Sequence, residues 1–496
     1  MTDVRLRFAG IVGFLAKILS LFTGLAFTIL ITRNLSIIEF AQWGLINSIL
    51  IYGALPASIL GYWFSRYTAR GIAIAKYGIL ISFFFIIAGV VLFFFSGYLF
   101  LKDFEILLPV LLFASLQVPT SSLVGILSSI ANGKKPEYSS YGFLTFEIIK
   151  VLIAFIVVFS KGISLLDAII IVIIAEGIQA IILIILLRDE IKKKVNFENL
   201  KKMFRAIWIP LFHQIPGTIF SSDVLIVSLI TASLTHIAFF KIGIVFSGII
   251  SFGGYLVYPL YIKLLDGGKS DDIVISIKLM LTFTIPLAVG IFILAKPLLF
   301  LLNPKYVSSE FILQILVLTY LTIAIRSIFT NIILGKEKID IIESKSDFKK
   351  MFFSSHMRIP VLGIIEIGMY VGTLSVFALI SLNYNLTSEI FGQIWASILF
   401  ATSIPQSIIL FKMAKKRIIF SWPWKNIGKY IISSAVMSLV LLSLIQFLSY
   451  NSKVIIFLPE LLLIIFVAIV AYFGFLLSID KETRMIANSA ISKIKK

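Results

Sequence analysis

The chain has 496 residues, of which 59% are hydrophobic and only 14% charged, and its mean hydropathy is +1.05. A soluble fold of any class cannot cover that much apolar surface with so few charges, so soluble architectures are excluded. The net charge of +19 is spread over loops and termini, which excludes a nucleic-acid partner, and the absence of cysteine removes disulfides, thiol catalysis and thiolate metal sites.

Fourteen apolar spans follow one another, at about 8–32, 40–63, 77–99, 106–132, 140–160, 163–187, 206–231, 237–262, 274–298, 309–334, 359–384, 387–411, 427–449 and 454–478. Each approaches or exceeds the ~20 residues a helix needs to cross ~30 Å of hydrocarbon. Arg5 and Arg7 precede the first span like the start of a signal peptide. The run that follows is too long and lacks a small-residue cleavage site, so it reads as a retained helix.

Basic residues fall in alternate gaps. With a cytoplasmic N-terminus, the inward loops and helix ends hold 34 of the 44 Lys and Arg. The outward side holds six: Arg33, Lys102, Lys161, Lys296, Lys305 and Lys453. This asymmetry predicts a multi-pass plasma-membrane protein with both termini in the cytoplasm, its loops facing anionic lipid head groups. The longest polar connections, 188–205, 335–358 and 412–429, are all inward on this reading. In 335–358, Ile339, Ile341, Ile342, Phe348, Met351 and Phe352 alternate with charges, which suggests a short helix lying in the head-group region. In 412–429, Trp422 and Trp424 flank Pro423 as turn anchors.

The loop at 188–205 divides two halves that resemble each other. At an offset of 199 residues, Leu35, Phe40, Gly44, Ser48, Ile51 and Tyr62 recur as Leu234, Phe239, Gly243, Ser247, Ile250 and Tyr261. Six spans return the chain to its starting side, so spans 1–6 and 7–12 are expected to form lobes related by an axis along the membrane normal. The predicted fold is an all-α membrane protein of 14 transmembrane helices, with two six-helix lobes in a pseudo-twofold arrangement and two extra C-terminal helices. The expected domains are 1–200, 201–411 and 412–496. Pro56, Pro210, Pro216, Gly253, Gly254, Pro259 and Pro286 mark points where spans could bend.

The stretches FTILITRNLSIIEFAQWGLINSIL (27–50) and LGYWFSRYTARG (60–71) resemble the opening of polysaccharide-export flippases. The similarity continues through FRAIWIPLFHQIPGTIFSSDVLIVSLITASLTHIAFFKIG (204–243), with an early Pro, a central Ser-Ser-Asp and an aromatic-x-x-x-Gly start to the next span. The family resembled is the oligosaccharide-lipid (Wzx-like) branch of the multidrug/oligosaccharidyl-lipid/polysaccharide exporter superfamily, which also holds multidrug exporters and lipid II flippases. The resemblance implies the 6+6+2 arrangement, a cation-lined lumen with a basic residue in the first helix, and a role for spans 13 and 14 in receiving a lipid tail.

Ionisable side chains at membrane depth cost at least ~2.5–3.5 kcal/mol each, so they persist where they face a cavity or a partner. Lys17, Lys150, Lys241 and Arg326 lie inside spans, two in each half, and could converge on a cavity that replaces the water and counterions of a diphosphate. Arg33 and Arg66, at span ends, are further candidates and equally anchors. Glu147 lies three residues before Lys150, so a self-neutralising pair competes with a ligand role. Glu147, Glu176, Asp223 and Glu366 are the candidates for ion coupling or as counter-ions. Asp223 stands at the position of the Ser-Ser-Asp motif, where it would serve an ion or neutralise Lys17 or Lys241.

These features together predict a flippase that carries polyprenyl- or dolichyl-(di)phosphate-linked oligosaccharide from the cytoplasmic to the outer leaflet by alternating access. It is expected to be a monomer without catalytic residues, cofactor or metal, and to work beside glycosyltransferases or a polymerase acting on the same substrate. The alternative in the same fold is an ion-coupled multidrug or small-molecule exporter. A membrane glycosyltransferase or polymerase is disfavoured because the outward loops offer few acids (Glu39, Asp103, Glu105). A channel is disfavoured because no filter pattern occurs.

Overall fold

The computed structural model describes residues 3–101, 106, 108–193, 201, 203–204, 207–257, 260, 264, 269–336 and 355–484, without the side chains of 3–18, 209, 255, 355 and 356. Every regular element among them is helical. In chain order the long helices are α1 (Asp3–Asn34), α2 (Ile37–Ala69), α3 (Ala75–Leu101), α4 (Leu108–Lys134), α5 (Pro136–Lys161), α6 (Leu165–Leu186), α7 (Trp208–Phe220) and α8 (Ser222–Thr231). They continue as α9 (Leu234–Ser247), α10 (Ser270–Ile293), α11 (Glu310–Gly335), α12 (Ser355–Ser381), α13 (Ser388–Arg417), α14 (Trp424–Ile445) and α15 (Val454–Ile479). Thirteen spans among the described residues are long and apolar enough to cross a membrane, and Leu19–Asn34 of α1 adds a shorter apolar stretch. This is the architecture of a multi-pass membrane protein. The suggested head-group helix at 339–352 lies outside the described residues.

Local chemistry sets where helices begin. Ser36 accepts from the Glu39 amide while Glu39 accepts from the Ser36 amide, and Ser164 and Asp167 repeat this reciprocal box before α6. Both satisfy backbone donors that would otherwise be stranded at the water boundary. Gly162, at φ 81°, caps α5 and lets it end at Lys161.

The helices group into two compact units. One comprises Met1–Ala238 with Leu374–Tyr384, and the other Phe239–Thr373 with Asn385–Lys496. In the first, α2 crosses α3 at two glycines. A Cβ on Gly89 would stand 2.1 Å from the Gly53 carbonyl oxygen. Close backbone approach is how helices gain packing in lipid, where burial of apolar surface gives little net drive. Gly89→Ala should lower the unfolding midpoint in detergent by the equivalent of ~1–3 kcal/mol. Gly97→Ala, in the same helix with no atom within 4 Å of the new Cβ, should change it little.

In the second unit, Phe240 of α9 stacks on Trp395 of α13 at 3.8 Å between ring centroids, and the Trp395 indole N–H donates to the Tyr370 hydroxyl of α12 at 2.7 Å. The two C-terminal helices pack against each other and α14 packs on α10. The Tyr472 hydroxyl donates to the Thr282 carbonyl at 2.7 Å, and Lys278 pairs with Glu482 at 2.6 Å, so α15 is also fastened to α10. Trp422 sits among Phe329, Phe411, Phe420 and Trp424, holding the turn before α14.

Just past α15, the buried Asp480 meets Lys429 at 2.7 Å and also accepts from Thr483. Burial alone would raise its pKa, but Lys429 and Thr483 outweigh it and hold the carboxyl below its ordinary value. A depressed folded pKa contributes stability above the unfolded value and loses it as pH falls through the folded one. The wild type should therefore lose stability below about pH 4 more steeply than Asp480→Asn, read as unfolding midpoint against pH.

The repeated segment keeps its local chemistry in both copies. Ser48 donates to the Gly44 carbonyl at 3.0 Å and Ser247 to the Gly243 carbonyl at 2.8 Å, all within buried turns. Beyond that the copies differ. The α2 helix runs unbroken through Pro56 to Ala69, whereas the second copy tightens into a 3₁₀ segment at Gly248–Leu256. There a Cβ on Gly253 would stand 2.3 Å from Thr284 Oγ1, so only glycine fits. The first copy carries Ala54 and Leu55 at the corresponding positions.

Candidate substrate site

Arg326 lies seventeen residues into the 26-residue helix α11, far from both ends. Its Nη1 donates to both carboxylate oxygens of Glu366 on α12 at 2.7 Å each, and to the Gln406 side-chain oxygen on α13. Three helices of the second unit thus meet on one guanidinium nitrogen. The guanidinium is planar and carries five donors. Its Nε and Nη2 make no hydrogen bond to the described residues, and 17% of the side chain is exposed. A cation half-neutralised on one edge, with its donors on the other edge unused, is suited to a bidentate acceptor such as a phosphate.

In the first unit, Lys150 of α5 is buried. Its ammonium bonds Glu147 at 3.0 Å and stands over the rings of Phe146 and Phe27, at 4.6 and 5.1 Å. Glu147 takes a second donor, Thr23 of α1, at 2.7 Å. The Glu147–Lys150 pair, with Thr23 bonded to Glu147, ties α1 to α5. Glu366 likewise acts as the counter-ion of Arg326, forty residues away in sequence.

Asp223 is buried in the first turn of α8 and accepts from the Val224 amide at 2.7 Å. Span 7 breaks at Ser221, between α7 and α8, and the neighbouring Ser222 hydroxyl bonds Tyr52 of α2. The Ser-Ser-Asp motif lies at this single-residue turn, where the Ser221 amide keeps its helical bond to the Gly217 carbonyl at 3.3 Å. Arg66 lies over the Tyr62 ring at 4.3 Å, and the ring of His213 on α7 is roughly parallel to that of Tyr62 at 6.3 Å. Arg33 and Lys241 are half-buried in the second-last residue of α1 and the middle of α9. The Lys17 side chain lies outside the described residues.

Glu176 sits at the centre of α6. It accepts from Thr120 of α4 at 2.5 Å, and the buried Gln117 lies three residues before Thr120 on the same helix. The partner on α4 was not anticipated from sequence. The run SLQVPTSS (115–122) was the available signal, a polar belt inside an apolar span. Among the described residues, no group of three or more His, Asp or Glu side chains could hold a metal ion.

No protein-family model matches the chain, and no curated protein matches it either. Among solved structures, it is similar to the lipid II flippase MurJ in an inward closed conformation, with a TM-score of 0.59 and 17% identity over 94% of this chain and 97% of that one. It is also similar to an inward-facing multidrug resistance MATE family transporter of the MOP superfamily, with a TM-score of 0.56 and 14% identity over 80% of this chain and 94% of that one. The chain has the fold of these transporters.

Proposed function

We propose that this protein is a transporter that turns over a lipid-linked oligosaccharide, held through its phosphate or diphosphate, from the cytoplasmic to the outer leaflet. The observation that carries this reading is the open edge of Arg326 at membrane depth, with Glu366 and Gln406 fixing the opposite edge. A phosphate oxygen pair on Nε and Nη2 would replace the hydration that oil denies it. Arg66, Arg33, Lys241, Lys150 and Lys17 are the further cations assigned to the path. Lys150 acts there through its pairing with Glu147. Transport proceeds by alternating access with the lipid tail left in the bilayer, and no covalent step is needed.

An exporter of cationic drugs needs carboxylates free to meet its cargo. Glu147 and Glu366 are each bound to a basic side chain, so a cationic cargo would have to rely on acids such as Glu176, whose partner Thr120 is neutral. The test is leaflet reversal of a fluorescent polyprenyl-diphosphate sugar in vesicles carrying the wild-type protein. Turnover well above that of empty vesicles is expected. Equal rates in the two, with the protein folded and inserted, defeat the proposal.

A further inference from the structure

Pro119 interrupts the polar belt of α4. It has no N–H, so the Ser115 carbonyl four residues back loses its helical donor. Hydroxyls crowd this loosened turn. Ser121 donates to the Gln117 carbonyl at 2.6 Å, the Thr120 hydroxyl gives its one hydrogen to the bond with Glu176, and the buried Ser122 hydroxyl has no partner among the described residues. Facing the belt is Glu176, eleven residues from the start of α6 and ten from its end. At 1.5 Å per residue that is about 15 Å from either end, the middle of a bilayer. Gln179, one turn further along α6, is buried.

Every side chain that bonds Glu176 is neutral. The cations on the helices packed against α6 are already engaged, Lys161 of α5 on Asp167 among them, and Glu137 at the start of α5 is itself an acid. On α5, Glu147 and Lys150 neutralise each other. Lys134, at the end of α4, and Lys193 both hold Glu190. Arg66 of α2 lies on Tyr62, and Arg188 meets Asp189 on the short helix Arg188–Ile191. Glu147 and Glu366 have permanent counter-ions, whereas Glu176 has none among the described residues, and an ionised carboxylate so placed is strongly disfavoured.

We infer that Glu176 is a proton-binding group of the transport cycle, taking up a proton when enclosed by the α4 belt and releasing it when movement of the lobe hydrates it. This rests on the transporter reading and supplies its driving ion. The proton comes from water and returns to water, so no further reactant is needed. A proton fits better than sodium because Glu176 Oε2 and Thr120 Oγ1 are 2.5 Å apart. That is the length of a strong O–H···O bond and leaves no room for a metal ion between them.

Infrared spectroscopy of the full-length protein in lipid, recorded against pH, should show a carboxylic-acid C=O band that titrates. The band should vanish in Glu176→Gln and shift its midpoint in Thr120→Val, which keeps the acid and removes its partner. In vesicles, an imposed pH gradient should speed turnover of the labelled lipid-linked sugar at least tenfold in wild type, but leave Glu176→Gln unchanged. The infrared measurement needs no cargo, so its failure is distinct from failure of the flippase reading. A titrating band that survives in Glu176→Gln overturns the inference. So does a gradient response equal in the two proteins, or one that follows sodium instead of protons. If Glu176→Gln does not fold, an unshifted band in Thr120→Val overturns it.

Discussion

Arg326→Lys should slow turnover of a lipid-linked diphosphate sugar by about 10–100-fold while leaving the protein folded. The ammonium can still reach Glu366, so the α11–α12 pair survives. What is lost is the planar fork: lysine presents a point charge and cannot offer two parallel donors to the cargo after satisfying the protein. Charge-assisted hydrogen bonds contribute roughly 1.5–3 kcal/mol, and each 1.4 kcal/mol is tenfold, which sets the range. Arg326→Gln should be slower still and also less stable, because Glu366 is then left uncompensated at membrane depth. Adding Glu366→Gln should restore stability without restoring turnover. Recovery of turnover in that double variant would mean that the guanidinium serves packing and not cargo.

Removing one member of the α5 pair should have the largest effect on stability. Lys150 and Glu147 expose only 9% and 7% of their side chains, so Glu147→Ala strands a buried ammonium. Breaking such a pair typically costs ~3–5 kcal/mol, whereas replacing both members with apolar residues of similar volume is often neutral. Glu147→Ala should therefore unfold well below wild type in a detergent melt, and Glu147→Met with Lys150→Met should recover most of the loss. The Thr23 hydroxyl loses its acceptor in both variants, so α1 should remain more exposed to proteolysis in the double variant than in wild type. A double variant as unstable as Glu147→Ala would show that the α1 contact, and not the ion pair, sets the stability.

Some of the site was readable before any helix was placed. Glu147 and Lys150 are three residues apart on one helix, so their pairing is a property of local geometry. The motif at Ser221, Ser222 and Asp223 stands at the single-residue turn between α7 and α8. The pairing of Arg326 with Glu366 was not readable, nor was the meeting of Glu176 with Thr120, fifty-six residues away. The contrast between the unbroken α2 and the 3₁₀ turn at Gly248–Leu256 is not written in the matching positions of the repeat either. The repeat was read from its matching positions, and the divergence lies in the Gly253–Gly254 pair that only the second copy has.

Hydropathy alone determined that the chain crosses a membrane many times and roughly which residues each span holds, and side chains three residues apart make the capped helix starts. These depend on residues within a few positions of each other and on the solvent, oil or water, that each segment meets. The tertiary structure decided which polar side chains share a partner and which acid is left among neutral groups. A membrane helix is apolar on all sides, so no amphipathic stripe records which face turns toward a neighbour. That rotation is chosen by glycine contacts such as Gly53 with Gly89 and by the few polar atoms that find one another, and both depend on helices far apart in sequence.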